Sequence, residues 1–332
     1  MIANTSVQQN PSGRQKLPAQ DIRALCLESG ADDVGFVEIS RPALDFERDD
    51  ILAAYRHTQT IICIAVHLNP ENMRSLARHI SSDEFHHATD SLNSITRTIL
   101  RRLKDLGVRG VVMPADFPMD MSRFPGKTWN VSHKIMAVES GIGNMGLNRL
   151  VIHPEFGNFI RLTSLLIDTC LDSYGTPLPD SSCDNCGLCL SACPVGAIQR
   201  HEPFDFTSCM THAYRDNIAG FMDMLDSLLR STDMNSFRQR FSDRETASMW
   251  QSLMYKMNYR CGYCMAVCPA GQAARPVSSR KEFVQEVVLP LKNRPEQVYV
   301  AQGSKAEKHA RANPNKDVRL VGFQIHRSKN DL

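Results

Sequence analysis

The sequence lacks strong net charge, long apolar runs and a recognisable secretion signal. Its 332 residues carry a formal net charge of only +2, so composition predicts no strong field toward nucleic acid or anionic membrane. A local basic patch can still be hidden in such a nearly neutral total. No apolar run approaches the roughly 20 residues that a membrane-spanning helix requires. With 42% hydrophobic and 22% charged residues, the composition is that of a globular protein of one or two domains.

The first residues, MIANTSVQQNPSGRQKLPAQ, contain neither an apolar core nor a twin-arginine motif. We therefore expect a cytoplasmic protein with no membrane partner. Disulfide frameworks are typical of small secreted chains, so the eleven cysteines predict a different chemistry. Seven of the eleven lie in two short segments, which indicates a shared ligand.

The first of these segments, SCDNCGLCLSACPVGA at residues 182–197, has the spacing C-x2-C-x2-C-x3-C-P that is typical of bacterial cubane iron–sulfur clusters. The second, CGYCMAVCP at residues 261–269, repeats its ending. Thiolates are polarisable and suit iron, and the short spacings let one loop present several sulfurs to one cube. Cys209 lies between the two segments and brings the number of candidate ligands to eight.

Zinc also binds pairs of cysteines spaced by two residues, but the proline after both runs and the small residues between the cysteines favour an iron–sulfur cluster. Because the cysteine before proline usually serves the other cluster, the ligands are expected to be exchanged between the motifs. The sequence therefore predicts two [4Fe-4S] clusters with two ligand sets. The first set is Cys183, Cys186, Cys189 and Cys268, and the second is Cys193, Cys209, Cys261 and Cys264.

Patterns of apolar residues predict an α/β (α+β) N-terminal domain with a central sheet, followed by a mostly helical, ferredoxin-like double-cluster domain. TIICIAV at residues 60–66 is typical of a covered strand, and residues 90–106 form an amphipathic pattern that predicts a helix. Cys26 and Cys63 are expected in the core. The expected division is a disordered tail at 1–17, a corrinoid or substrate domain at 18–175, a cluster domain at 176–275 with a helical insertion at 210–260, and an extension at 276–332.

Within the helical insertion, the methionines are expected to fill the core, and several acids are expected on its polar side. The methionines are Met222, Met224, Met254 and Met257, and the acids are Asp223, Asp226, Asp243 and Glu245.

A glycine-rich turn, GIGNMG at residues 141–146, follows a predicted helix. A dinucleotide-binding fingerprint needs the opposite order, with a strand before the glycines, so a Rossmann site is not expected. The glycines instead allow close approach of backbone to backbone or to a flat cofactor. The irregular stretch before them, PADFPMDMSRFPGKTWN at 114–130, predicts a long loop of functional character.

The segment SHKIMAVESGIGNMGLNRLVIHPEFGNFIRLTSLLIDT at 132–169, together with the two cysteine motifs, resembles the cobalamin-dependent reductases that comprise epoxyqueuosine reductase and the reductive dehalogenases. This resemblance covers roughly residues 20–275 and implies a base-off cobalamin in the N-terminal domain. The clusters, fed by an external ferredoxin- or flavodoxin-type donor, would reduce the cobalt to Co(I). That species would cleave a bond in a small organic, nucleoside or tRNA substrate. The implied cofactor contacts are His133, Gly141, Gly143, Met145 and Gly146.

The sequence departs from both branches of this family at the implied proton donor. Epoxyqueuosine reductases place an acid about fourteen positions before the glycine turn, where this chain has Lys127. The dehalogenases use a tyrosine, and this chain has none between Tyr55 and Tyr174. Asp120 and Lys127 are the candidate catalytic residues, because a general acid must reach the reacting atom within hydrogen-bond distance.

Three hypotheses remain open from the sequence. The first is a corrinoid iron–sulfur reductase, and the second is a corrinoid-free, ferredoxin-like electron carrier that serves a partner enzyme. The third is a nucleic-acid-binding protein that its clusters stabilise, and the near-neutral charge disfavours it.

Overall fold

The computed structural model describes residues 16–124, 126–272 and 279–322. The predicted disordered tail lies outside these residues apart from Lys16 and Leu17. The strands are β1 (Asp33–Glu38), β2 (Thr60–His67), β3 (Gly110–Val112), β4 (Asn144–Met145), β5 (Val151–Ile152), β6 (Ile160–Ile167), β7 (Glu296–Ala301) and β8 (Lys316–Val321).

The helices, in chain order, are α1 (Ala19–Glu28), α2 (Arg48–Ala54), α3 (Pro70–Arg74), α4 (Arg78–Asp105), α5 (His133–Glu139), α6 (Leu188–Ala192), α7 (Phe206–Ala213), α8 (Ile218–Leu229), α9 (Met234–Arg240), α10 (Asp243–Met254), α11 (Tyr263–Ala266), α12 (Arg280–Phe283), α13 (Leu289–Lys292) and α14 (Lys305–Arg311). Short 3-10 turns cover Pro42–Leu44 and Met121–Arg123, and a π-helical turn covers Val284–Val288. Among the described residues, no helix combines the length and apolar character that a bilayer crossing requires.

The chain divides into two compact units. The first comprises residues 1–68, 87–145 and 151–184, and the second comprises residues 69–86, 146–150 and 185–332.

A four-stranded antiparallel sheet in the order β1-β2-β6-β3 forms the centre of the first unit. Strand β2 is buried along its whole length except at His67, because β-branched residues occupy both of its faces. Cys63 pairs in register with Ser164 and is fully buried, and Cys26 is fully buried on α1. Burial raises the pKa of Cys26 to about 12. Both thiols are therefore core residues, as the sequence predicts.

The second unit is mostly helical, with a parallel pair formed by β7 and β8. The fold class predicted from the sequence, a sheet-containing α+β part followed by a mostly helical part, is confirmed. The helical insertion is broken into α7 to α10, and capping boxes begin two of these helices. Asp233 with Ser236 begins α9, and Ser242 with Glu245 begins α10.

Three expectations about local structure are wrong. Helix α4 begins at Arg78 rather than Asp90, because tertiary contacts hold its polar first turns. In these turns, the His86 Nε2 lies 2.6 Å from the Met257 carbonyl oxygen, and Phe85 contacts Tyr259 edge to face.

The other two wrong expectations concern side chains of the helical insertion. Met254 is 64% exposed rather than part of a core. Asp223 and Glu245 are buried rather than solvated, because both pair with the buried guanidinium of Arg215.

Candidate iron–sulfur site

The first cysteine motif in the second unit is shaped by two glycines in the left-handed region. Gly187 (φ 78°) turns the chain into α6, which carries Cys189, and Gly196 (φ 62°) turns it again after Cys193. Only glycine adopts these backbone angles without strain. The motif therefore forms a short helical turn between two sharp bends.

Backbone amides surround the sulfur of Cys193 after the second bend. The amide of Ala197 donates to Cys193 Sγ at 3.3 Å. Burial raises the pKa of the Cys193 thiol, and amides of residues 195–198 oppose this by stabilising the thiolate. Amide donors to sulfur are one of the means by which a protein sets the potential of a cluster.

The second motif places two further thiols beside Cys193. Burial raises the pKa of Cys261 well above its usual value, and the neighbouring Cys193 and Cys264 thiols raise it further. Cys264 lies on α11, whose position is fixed in part by the Asn148 side chain, which donates to the Cys264 carbonyl at 3.0 Å. Neighbouring thiols disfavour one another's thiolate form, and a bound cation would compensate this repulsion.

Cys209 joins this group from α7. Its side chain packs on the same apolar cluster as Cys193, Cys189 and Cys264. The structure thus brings together Cys193, Cys209, Cys261 and Cys264, which are the four residues of the second predicted ligand set. Their assignment as ligands stays a prediction.

The first predicted ligand set is distributed differently. Cys186, Cys189 and Cys268 belong to the second unit, whereas Cys183 belongs to the first, where its backbone amide donates to Ser181 Oγ at 3.2 Å. Cys189 also packs on the apolar cluster that contains Cys261 and Val267.

Arg74 is a buried cation beside this set that the sequence gave no reason to single out. Its Nε donates to the Ala266 carbonyl at 3.3 Å, and its guanidinium lies 5.5 Å from the centroid of the Phe283 ring. Burial lowers the pKa of Arg74, and its ion pair with Glu71 at 3.4 Å, together with the nearby Cys268, opposes this. The separation of Arg74 and Ala266 along the chain explains why no sequence pattern connects them.

His309 on α14 is a second contact that sequence patterns do not reveal. Its Nε2 lies 3.0 Å from the Cys193 carbonyl oxygen, and a Cβ on Gly196 would lie 2.8 Å from its Cγ. The basic C-terminal stretch thus includes a residue that packs against the cluster loop.

Within the described residues, no group of three or more Cys, His, Asp or Glu side chains is arranged to hold a single metal ion. A cubane spaces its cysteine ligands more widely than one ion does, because each sulfur binds a different iron atom.

The two candidate catalytic residues of the first unit are engaged in local interactions. Lys127 Nζ lies 2.8 Å from Asp50 and 3.3 Å from the buried carboxylate of Glu47. Burial raises the pKa of Glu47, and Lys127 opposes this. Asp120 accepts a hydrogen bond from the amide of Ser122 at 2.9 Å, and Ser122 lowers the pKa of its carboxyl. An acid with a lowered pKa holds its proton poorly at neutral pH.

His133 is fixed by two hydrogen bonds within the first unit. Its Nδ1 lies 2.9 Å from Ser164 Oγ and its Nε2 lies 3.0 Å from the Pro114 carbonyl oxygen. Burial lowers the pKa of His133 to about 4, so the ring is neutral at pH 7. The loop beyond Pro114 is anchored as well, because Asp116 pairs with Arg161 at 2.5 Å.

The predicted cofactor-contacting glycines make close backbone contacts. Gly141 has a φ of 81°, and a Cβ there would lie 2.6 Å from the Thr176 carbonyl oxygen. A Cβ on Gly143 would overlap the Ile152 carbonyl oxygen. Met145 is half-buried on β4, and Gly146 donates its amide to Leu150 at 2.8 Å. The two glycines at 141 and 143 thus allow backbone to approach backbone, and their contact with a corrinoid stays a prediction.

The arrangement of cysteines defines an iron–sulfur protein. Residues 179–199 match the family model described as "4Fe-4S binding domain". This segment contains all four cysteines of the first motif.

The chain is related in sequence to the epoxyqueuosine reductases. It is 28% identical over 156 residues to that of Leadbetterella byssophila, a match that covers 47% of this chain and 42% of the relative. It is 24% identical over 267 residues to the epoxyqueuosine reductase of Shewanella oneidensis, a match that covers 78% of this chain and 56% of the relative. The matches span about half the length of these relatives. Among solved structures, a catabolic reductive dehalogenase matches with a TM-score of 0.49 and 15% identity, over 86% of this chain and 37% of that one.

Proposed function

We propose that this protein is an iron–sulfur oxidoreductase that passes electrons through two [4Fe-4S] clusters for the reductive cleavage of a small organic or nucleoside substrate. The observation that carries this proposal is the grouping of Cys193, Cys209, Cys261 and Cys264, which combines ligands from both motifs. Adjacent clusters with exchanged ligands form an electron relay. The relationship to epoxyqueuosine reductases supports a reductase and makes epoxyqueuosine the first substrate to test.

The protein's own residues supply the setting for this relay. The amides around Cys193 stabilise thiolate sulfur, and the buried Arg74 places positive charge near Cys268. Both features favour the more negative, reduced state of a cluster. The apolar residues that pack on Cys189 and Cys264 limit the access of water.

A base-off cobalamin is the electron acceptor that the family resemblance implies, and when bound it supplies a strongly reducing cobalt centre. Gly141 and Gly143, which are expected to contact it, also lie close to the backbone at Thr176 and Ile152. The second candidate function is a corrinoid-free electron carrier that serves a partner enzyme. The observation that favours this candidate is the engagement of Lys127 and Asp120, which leaves neither as a ready proton donor.

Anaerobic reconstitution with iron, sulfide and hydroxocobalamin separates these candidates. The reductase should retain cobalamin with a base-off absorption spectrum and should reduce epoxyqueuosine. Iron uptake without cobalamin would instead support the electron carrier, and a chain that takes up no iron would overturn both.

Cys183→Ala tests the relay. It should abolish reduction and leave corrinoid binding largely intact. The matched control is Cys170→Ala, because Cys170 is half-buried and lies near Gln59 outside both motifs. Unchanged reduction in Cys183→Ala would contradict a relay through the first cluster.

A further inference from the structure

The second unit contains a cavity of about 430 Å³ that has no part in the cluster chemistry. Residues from α8, α9, α14 and the paired strands β7 and β8 line it. Its volume lies within the range of ordinary small-molecule sites, roughly 300–1,000 Å³. The cavity is therefore large enough to hold a nucleotide-sized ligand.

Arginine supplies most of the charged side chains that line this cavity. Three carboxylates line it, from Asp223, Asp226 and Glu245. Six arginines line it as well, namely Arg215, Arg230, Arg238, Arg240, Arg311 and Arg319. Carboxylates next to the lining pair with three of these arginines, because Asp243, Glu307 and Asp317 contact Arg238, Arg311 and Arg319.

The two buried carboxylates of the lining share one buried arginine. Arg215 lies between the rings of Phe241 and Tyr299, at 4.7 and 4.4 Å from their centroids. Its two terminal nitrogens pair with Asp223 and Glu245. These three side chains are engaged with one another, so a ligand has to be bound by the other arginines of the lining.

The exposed arginines remain available to a ligand. Arg230, Arg311 and Arg319 each hold one carboxylate at 2.8–3.2 Å, with the guanidinium side chains more than half exposed. Such exposed pairs are worth at most about 1 kcal/mol and exchange readily. Arg240 makes no ion pair with any described residue and is exposed.

We propose that this arginine-lined cavity binds a phosphate-bearing ligand, with Arg240 and Arg319 among the residues that bind the phosphate. The planar guanidinium fork matches two phosphate oxygens at once, which a simple ammonium group does not. The phosphate could belong to a free nucleotide or to an RNA backbone, and both share this chemistry. The site does not depend on the clusters, so it stands apart from the proposed reductase function.

Titration calorimetry of the full chain tests the site with three probes: pyrophosphate, AMP and a short single-stranded RNA. If AMP or pyrophosphate binds saturably and the RNA does not bind, the ligand of the site is a small phosphate compound. Tighter binding of RNA, with a steep dependence on salt, would assign it to a nucleic-acid backbone. Absence of saturable binding for all three probes would overturn the proposal.

Charge-removing variants locate the binding within the chain. Arg240→Gln and Arg319→Gln should each weaken binding by about tenfold, because each removes a charge-assisted contact. Arg101→Gln is the matched control, since Arg101 is exposed on α4 and does not line the cavity. Circular dichroism confirms that each variant is folded. If both cavity variants bind the ligand with the affinity of the parent chain, the ligand lies elsewhere and the assignment is wrong.

Discussion

The core cysteines of the first unit and the candidate ligands of the second unit differ in their surroundings. In the first, Cys26 and Cys63 are fully buried on a helix and a strand, where burial raises the pKa of each thiol and leaves it unreactive. In the second, Cys193 lies in a loop among backbone amides, with Cys261 and Cys264 as neighbours. The difference shows that loop geometry and nearby thiols, rather than burial alone, separate a structural cysteine from a candidate ligand.

Removing one thiol from each unit tests this contrast and should give the largest effect. Cys264→Ala should lower the iron bound per reconstituted chain by about half, because one of two four-iron clusters loses a ligand. Iron analysis and the visible absorption of the clusters measure this loss. The control, Cys63→Ala, should keep its full iron content and lose about 1 kcal/mol of stability. Equal iron loss in both variants would remove the distinction between the units.

The buried charges of the first unit provide the next test. Lys127→Met removes the cation beside the buried Glu47 and should cost about 3 kcal/mol in the free energy of unfolding. Urea titration measures this cost. Lys104→Met, at an exposed position near the end of α4, should have almost no effect. If the two variants were equally stable, the pair between Lys127 and Glu47 would not support the fold.

The same variant has a predictable dependence on pH. Burial raises the pKa of Glu47, and loss of Lys127 should raise it further. The folded state then binds more protons than the unfolded state, so stability falls as pH rises from the unfolded pKa of Glu47 through the folded one. The difference in free energy of unfolding between the parent and Lys127→Met should therefore become smaller as the pH falls. A stability difference that becomes larger as the pH falls would contradict this prediction.

The smallest expected effect is that of replacing Arg74, the buried cation of the second unit. Arg74→Met should lower the reduction potential of the cluster that includes Cys268, because the lost positive charge favoured the reduced state. A redox titration followed by electron paramagnetic resonance measures the midpoint. Arg101→Met should leave the midpoint unchanged. An unshifted midpoint in Arg74→Met would show that its charge is screened from the cluster.

Local patterns in the sequence predict the parts of this protein that local physics determines. Strand β2 follows from its run of β-branched residues, and the cysteine motifs follow from spacing that suits one turning loop. The match of residues 179–199 to a 4Fe-4S binding domain agrees with the iron–sulfur interpretation of the first motif. The exchange of ligands between the two motifs stays a prediction.

Features that depend on contacts between distant residues could not be predicted in this way. Arg74 and Ala266, or His309 and Cys193, meet only after the chain has folded. The polar start of α4 carries no apolar stripe, so the contact of His86 with residue 257 holds a helix that local patterns miss. Asp223 and Glu245 likewise resemble solvated acids until Arg215 is placed between them.

The order in which these residues are synthesised constrains how the second cluster is assembled. Its four candidate ligands extend from Cys193 to Cys264, and His309 contacts the Cys193 loop from still later in the chain. A ribosome-bound chain that ends before Cys264 holds at most three of the four thiols. Cluster insertion must therefore follow the emergence of most of the protein, and the early thiols have to stay reduced and unligated while translation continues.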